Sequence, residues 1–253
     1  VSPRTKRRMA LRSRQERVRT IRTAYQFCVD EGLVARSPAR HVKIRGRAEP
    51  KRVFLTDRDV RALLGACAGP RISDLRDRAL VTFLLHTGLR AAEAATVTWS
   101  ALDDAQRCLT VEGKGRVVRT VPLSSEAWRA VDDWATASGA KRRSDDPIWT
   151  RINHRVSGDA SRDLRAGAWS VAESGLTADS VHGIVTRRAA RAGLAGVTPH
   201  ALRRTFATKL RDLGVSIDTI SRYLGHASVL TTIWDFNSRD GCAAKALRDR
   251  SYS

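Results

Sequence analysis

Four short segments contain the side chains best suited to handling an anion. They are Thr87-Gly88-Leu89-Arg90-Ala91-Ala92-Glu93, Gly113-Lys114-Gly115 with Arg119 and Pro122-Leu123 after it, His200-Ala201-Leu202-Arg203-Arg204-Thr205, and Leu224-Gly225-His226-Ala227-Ser228. A guanidinium is a planar, two-pronged partner for a phosphate. An imidazole donates or shuttles a proton near neutral pH, and a Lys on a flexible stem can protonate a leaving group. Each segment also has a structural reading. An Arg after a Gly can be a surface residue at a helix start, and a Lys between two glycines can be a plain turn. Residues three apart, such as His200 and Arg203, share one helix face in many ordinary helices. A Gly-His pair is common at a capped helix end.

The charge balance selects the class of partner. The 253 residues hold 46 Lys and Arg against 26 Asp and Glu, a formal charge of +20. Only seven of the basic residues are Lys. The excess is concentrated at the start, where residues 1–52 hold 16 basic and 4 acidic side chains. Such a field favours a polyanion such as nucleic acid. An anionic membrane surface would call for an amphipathic anchor rich in aromatic residues, and there is none. No apolar stretch is long enough to span a bilayer, and no signal peptide is apparent. With Val1 first and a single Met at position 9, the sequence is expected to begin inside a longer chain. Cys28, Cys67, Cys108 and Cys242 are scattered and read as reduced, mostly buried thiols of an intracellular protein. No His/Cys cluster has metal-site spacing, so neither metal nor cofactor is expected.

The elements that must position these residues are mostly helices. Residues 10–30 show helical periodicity, with Val18, Ile21, Tyr25 and Cys28 facing away from Arg17, Arg19 and Arg22. Ser37-Pro38 stops this segment, and the basic run from Lys43 to Arg52 reads as a linker. A second domain begins near Phe54, with Thr56-Asp57 capping a helix through Leu63 and Leu64. A further helix carries Leu75 to Leu84 and stops at Gly88. Alternation from Leu109 to Val121 around the Gly113-Lys114-Gly115 turn predicts a β-hairpin. Helices are expected near 125–137 and 179–192, with the polar stretch from Arg142 to Thr177 between them as loop. Thr198-Pro199 opens a helix to about Leu213, ended by Gly214. A short helix through Ile217, Ile220 and Leu224 precedes Gly225, and Ser228 to Arg250 reads as broken helix. The expectation is a mainly α fold with one small antiparallel β-sheet, not an open parallel α/β sheet.

In this order and with compatible spacing, the four segments resemble the catalytic domain of the tyrosine recombinases, the lambda-type phage and transposon integrases. The resemblance covers roughly residues 54–250. Residues 1–46 resemble the last part of that family's helical core-binding domain, residues 47–53 a basic linker, and 54–253 the catalytic domain with a tail helix. The resemblance implies a metal-independent, site-specific enzyme that binds duplex DNA and exchanges strands through a 3′-phosphotyrosyl intermediate. It implies a homotetramer on two DNA sites, a dimer on each, working in the cytoplasm and on the nucleoid. Arg90 and Arg203 take the role of phosphate clamp. His200 donates to the phosphate or moves the nucleophile's proton, His226 binds a non-bridging oxygen, and Lys114 protonates the 5′-oxygen. Glu93 holds Arg90.

The sequence departs from the family where the nucleophilic Tyr is due. Position 235 is Asp and position 236 is Phe, within Thr231-Thr232-Ile233-Trp234-Asp235-Phe236-Asn237. Phe236 fits the slot best, since it keeps the ring and lacks only the attacking hydroxyl. The chain is therefore expected to bind DNA without cleaving it, either through a deliberate Tyr→Phe change or as a natural cleavage-dead regulator. Tyr25, Tyr223 and Tyr252 are poor substitutes, and Asp235 would add like charge beside a phosphate. A type IB topoisomerase-like nicking-closing activity is the remaining alternative. Phosphate contacts are expected from Arg12, Arg14, Arg17, Arg19, Arg22, Lys43, Arg45, Arg47, Lys51 and Arg52.

Overall fold

A computed structural model describes residues 9, 11–44, 53–113, 118–139, 145–154 and 169–225. The chain divides into two compact units, Val1–Lys51 and Arg52–Ser253.

The described part of the first unit is built on one long helix, α1 (Leu11–Asp30). The chain then turns at Gly32, whose φ of +69° suits a residue without a Cβ. Arg22 folds back onto this turn region and donates to the carbonyls of Ala39 (3.2 Å) and Val42. The expected helix over residues 10–30 is present as α1, and its apolar positions differ in exposure. Val18 and Cys28 are partly buried, but Ile21 and Tyr25 are exposed, as is Phe27.

The second unit is organised around α3 (Ile72–Thr87), which is buried on most of its circumference. Asp57–Gly65 forms α2, started by a capping box between Thr56 and Asp59. Gly88 ends α3 in the left-handed region at φ +62°. Then follow α4 (Ala91–Thr96), a 3-10 turn (Trp99–Ala101), β1 (Leu102–Asp103), β2 (Cys108–Glu112) and β3 (Val118–Pro122). These three strands form one antiparallel sheet in the order β1-β2-β3, with Leu109 opposite Val121 and both fully buried. Next come α5 (Ser125–Ser138), β4 (Thr150–His154), β5 (Trp169–Gly175), α6 (Ala178–Arg191), α7 (Pro199–Asp212) and α8 (Ile217–Leu224).

The single-sheet expectation is corrected. Within the stretch read as loop, β4 and β5 pair antiparallel as a second sheet. The sequence signal is faint because these strands are short and carry Ser, Asn, Arg and Gly. Tertiary contacts supply what propensity does not. Ile148 N–H donates to the Val97 carbonyl, Leu176 N–H to the Trp149 carbonyl, and Arg76 to the Thr150 carbonyl.

One large apolar core fills most of this unit, and a smaller cluster of Ala207, Ile220 and Leu224 lies between α7 and α8. Phe83 and Trp149 meet edge to face at 5.3 Å, and the Trp134 indole N–H donates to the Ile148 carbonyl. An ion cluster is buried within it. Arg188 on α6 contacts Asp74 and Asp77 on α3, each at 2.7 Å. Burial pushes the nearby Cys67 thiol up to about 11, which keeps it protonated and inert. The predicted helix from Ser228 to Arg250 and the linker residues from Arg45 onward lie outside the described residues.

Candidate phosphate-binding site

The site is assembled at three helix ends. The first is the junction between α3 and α4. Gly88 turns the chain, Leu89 is fully buried as an anchor, and Arg90 sits at the N-cap of α4 in extended conformation. Arg90 is thus a cap residue rather than a residue inside a helix. Glu93, one turn along, accepts from the Arg90 backbone N–H (2.9 Å) and from Arg90 Nη1 (2.6 Å). One carboxylate therefore caps the helix and orients its own neighbour's guanidinium.

The second is the start of α7. Thr198 is the N-cap and Pro199 the first helical residue, which suits a position with no N–H partner to lose. His200 follows and is exposed, while Arg203 faces inward with its side chain 3% exposed. Arg203 Nη1 donates to the Gly88 carbonyl (2.8 Å) and lies 3.9 Å from Glu93 Oε2.

The third is the end of α8, closed by Gly225 at φ +63°. Arg203 Nη2 reaches the Leu224 carbonyl (2.6 Å), and Arg90 Nη2 reaches the Gly225 carbonyl (3.2 Å).

Arg90, His200 and Arg203 line one pocket of about 280 Å³, with His182 and Thr198 as further polar neighbours. Glu93, paired with Arg90, is 7% exposed. Burial alone would raise the Glu93 carboxyl. Hydrogen bonds from the Arg119 guanidinium and from Arg90 outweigh that and hold it below the ordinary value of 4.5. The carboxylate is thus ionised, yet it faces the guanidinium groups of Arg90, Arg119 and Arg203. One negative charge against three positive ones leaves a local excess near the exposed His200 at the start of α7, an arrangement that attracts an anion.

Two residues here were not given a site role in the sequence. Arg119 on β3 forks onto Glu93 with Nη1 (3.3 Å) and Nη2 (2.7 Å), and its Nε donates to the Tyr223 carbonyl. Its signal was its period: it shares a strand face with the fully buried Val121 two residues on. His182 on α6 enters the pocket wall with no sequence signal beyond its residue type.

The other expected site residues are distributed as follows. Lys114, His226 and Phe236 lie outside the described residues, as do Arg45, Arg47, Lys51, Arg52 and the Arg12 side chain. In the first unit Arg17, Arg19 and Lys43 are exposed, and Arg14 and Arg22 are partly buried. Tyr223 offers its carbonyl to Arg119. Among the described residues no group of three or more His, Cys, Asp or Glu is placed to hold a metal ion. No described helix is long and apolar enough to cross a membrane.

Comparison with known proteins gives a consistent family. Residues 53–240 match the phage integrase family. The tyrosine recombinase XerD of Mycobacterium leprae is 34% identical over 223 residues, covering 84% of this chain and 65% of that protein. The XerD of Brucella suis is 31% identical over 231 residues, covering 87% of this chain and 70% of that protein. The chain thus spans about two thirds of the length of these relatives. Among solved structures, the Tn1549 transposon integrase superposes with a TM-score of 0.69 at 18% identity, over 96% of this chain and 81% of that one. Its likeness is in the fold: mainly helical, with small antiparallel sheets. The ordered motifs, this fold and these relatives place the chain in the phage integrase family of tyrosine recombinases.

Proposed function

We propose that this chain is the DNA-binding and catalytic portion of a site-specific recombinase. Its substrate is duplex DNA, and its reaction is strand cleavage and rejoining without metal or cofactor. The observation that carries the reading is the convergence of Arg90 and Arg203 on Glu93, beside His200 in one pocket. In this reading Arg90 and Arg203 hold the scissile phosphate, where charge builds on the non-bridging oxygens in the transition state. His200 and His226 hydrogen-bond the same group. A tyrosyl hydroxyl in the slot of residue 236 attacks phosphorus and passes its proton to His200, forming the 3′-phosphotyrosyl bond. The phosphorus–5′-oxygen bond breaks and Lys114 gives that oxygen a proton. Rejoining is the same step in reverse, so no net bond energy is consumed.

Phe236 removes the attacking hydroxyl and leaves the cationic shell, so the chain as it stands binds DNA without cutting it. The Tn1549 integrase offers support by analogy: the structure described above is a Tyr-to-Phe form in complex with transposon right end DNA. The residue itself also supports a second reading, a naturally cleavage-dead protein that occupies recombination sites. Residues 1–46 are assigned to a core-binding domain, 47–53 to a linker and 54–253 to the catalytic domain, with a tetramer as the working assembly on two sites.

The test is to recover a preferred duplex by binding selection from a random-sequence library. Phe236→Tyr protein is then incubated with that duplex and denatured. A covalent protein–DNA adduct through a 3′-phosphate is expected with Phe236→Tyr and absent with Phe236. Binding without any adduct would move the assignment to the regulator, and failure to retain any duplex would end both readings.

A further inference from the structure

Three consecutive carbonyls at the end of α8 are each taken by a different guanidinium. Arg119 Nε holds Tyr223 at 2.8 Å, Arg203 Nη2 holds Leu224 at 2.6 Å and Arg90 Nη2 holds Gly225 at 3.2 Å. The last carbonyls of a helix have no partner within it and carry its partial negative charge, so this is a favourable end for cations. His226 is the next residue in the chain.

The three guanidiniums are not equivalent. Arg90 and Arg203 line the anion pocket, and a phosphate bound there competes with α8 for their N–H groups. Arg119 does not line that pocket. Its side chain is 8% exposed, forked onto Glu93 and aimed by Nε at Tyr223. It also forms the floor beneath Gly225, where an added Cβ would lie 2.8 Å from Arg119 Nη1. Its strand, β3, leads directly out of the hairpin that carries Lys114.

We propose that Arg119 is a positioning residue. It fastens the end of α8, which precedes His226 in the sequence, to the Glu93 scaffold whether or not Arg90 and Arg203 are engaged by phosphate. It also fixes β3 to the same point, so one buried guanidinium ties two chain segments to the Glu93 carboxylate. The inference rests on the proposed function for the assignment of phosphate to Arg90 and Arg203. A Lys at 119 offers one head group and cannot satisfy the Glu93 fork and the Tyr223 carbonyl together.

The experiment compares Arg119→Ala, Arg119→Lys and the exposed strand control Thr120→Ala. Hydrogen exchange is read at the amides of 223–225 and at α3 as an internal reference. In Arg119→Ala the α8 amides should exchange about tenfold faster with α3 unchanged. Arg119→Lys should be intermediate and Thr120→Ala like the parent. In the Phe236→Tyr background, single-turnover cleavage of the selected duplex at saturating Arg119→Ala protein should fall about 100-fold. Affinity for that duplex should stay within about threefold, since no phosphate contact is removed. Unchanged α8 exchange, loosening of α8 and α3 together, or a parallel fall of affinity and rate would overturn the proposal. If Phe236→Tyr protein forms no adduct at all, the recombinase reading fails, while the exchange measurements still decide the role of Arg119.

Discussion

Glu93 is a side chain whose charge state reaches most of the site. It accepts from the Arg90 backbone, from the Arg90 side chain and from Arg119, and it lies close to Arg203. Removing one partner from a buried ionic cluster leaves the others unpaired, which is costly. Glu93→Gln should therefore lose about 2–4 kcal/mol of unfolding free energy at neutral pH, measured by urea titration. The pH dependence has a definite sign. Because the folded-state value of Glu93 lies below 4.5, its ionised form stabilises the fold fully above 4.5. That contribution is lost as pH falls through the lowered folded value, so parent and variant should converge in acid. A gap that persists unchanged below pH 4 would show that the carboxylate's charge is not what stabilises the cluster. A second prediction concerns Gly88. Its left-handed conformation aims its carbonyl at Arg203, and a Cβ there would run into Phe206. Gly88→Ala should cost at least about 1–3 kcal/mol, read as a lower urea midpoint.

At the scale of elements, legibility followed the strength of the local signal. The Thr56 cap, the Gly88 and Gly225 stops and the Pro199 start were all readable because each depends on residues within one turn. The β4–β5 hairpin was not, since its strands are polar and held by contacts with Val97, Trp149 and Arg76. The motif residues Arg90, Glu93 and Arg203 were legible as types at a spacing. The contacts of Arg90 with Gly225 and of Arg203 with Gly88 were not, because each joins residues more than 100 apart in sequence. The same limit hid the α3–α6 cluster of Asp74, Asp77 and Arg188. Arg188 touches both acids and the Ala66 carbonyl, so Arg188→Ala takes the Arg188 ion pair from buried Asp74 and leaves buried Asp77 with Arg76. It should destabilise the second unit by about 3–5 kcal/mol, more than removal of any exposed Arg on α6 such as Arg187 or Arg191. Equal midpoints for Arg188→Ala and Arg191→Ala in chemical denaturation would refute this.

At the scale of the whole molecule the governing quantity is the charge of +20, concentrated in residues 1–52. Each neutralised phosphate releases counterions, so binding to duplex DNA should be strongly salt-dependent. Raising salt from about 50 to about 200 mM should weaken it by roughly 10³-fold or more if several phosphates are contacted. Alanine at Arg17 and Arg19 together should lower the slope of log affinity against log salt by about two, with little change in sequence preference. A flat salt response would remove the electrostatic basis of the assignment.

The most direct measurement is a structure of this chain, with Phe236 in place, bound to its selected duplex. The expected result is a single backbone phosphate seated in the pocket of Arg90, His200 and Arg203, with both guanidiniums in hydrogen-bond contact with its oxygens. A duplex that crosses another face of the molecule and leaves that pocket to solvent would contradict the proposed chemistry.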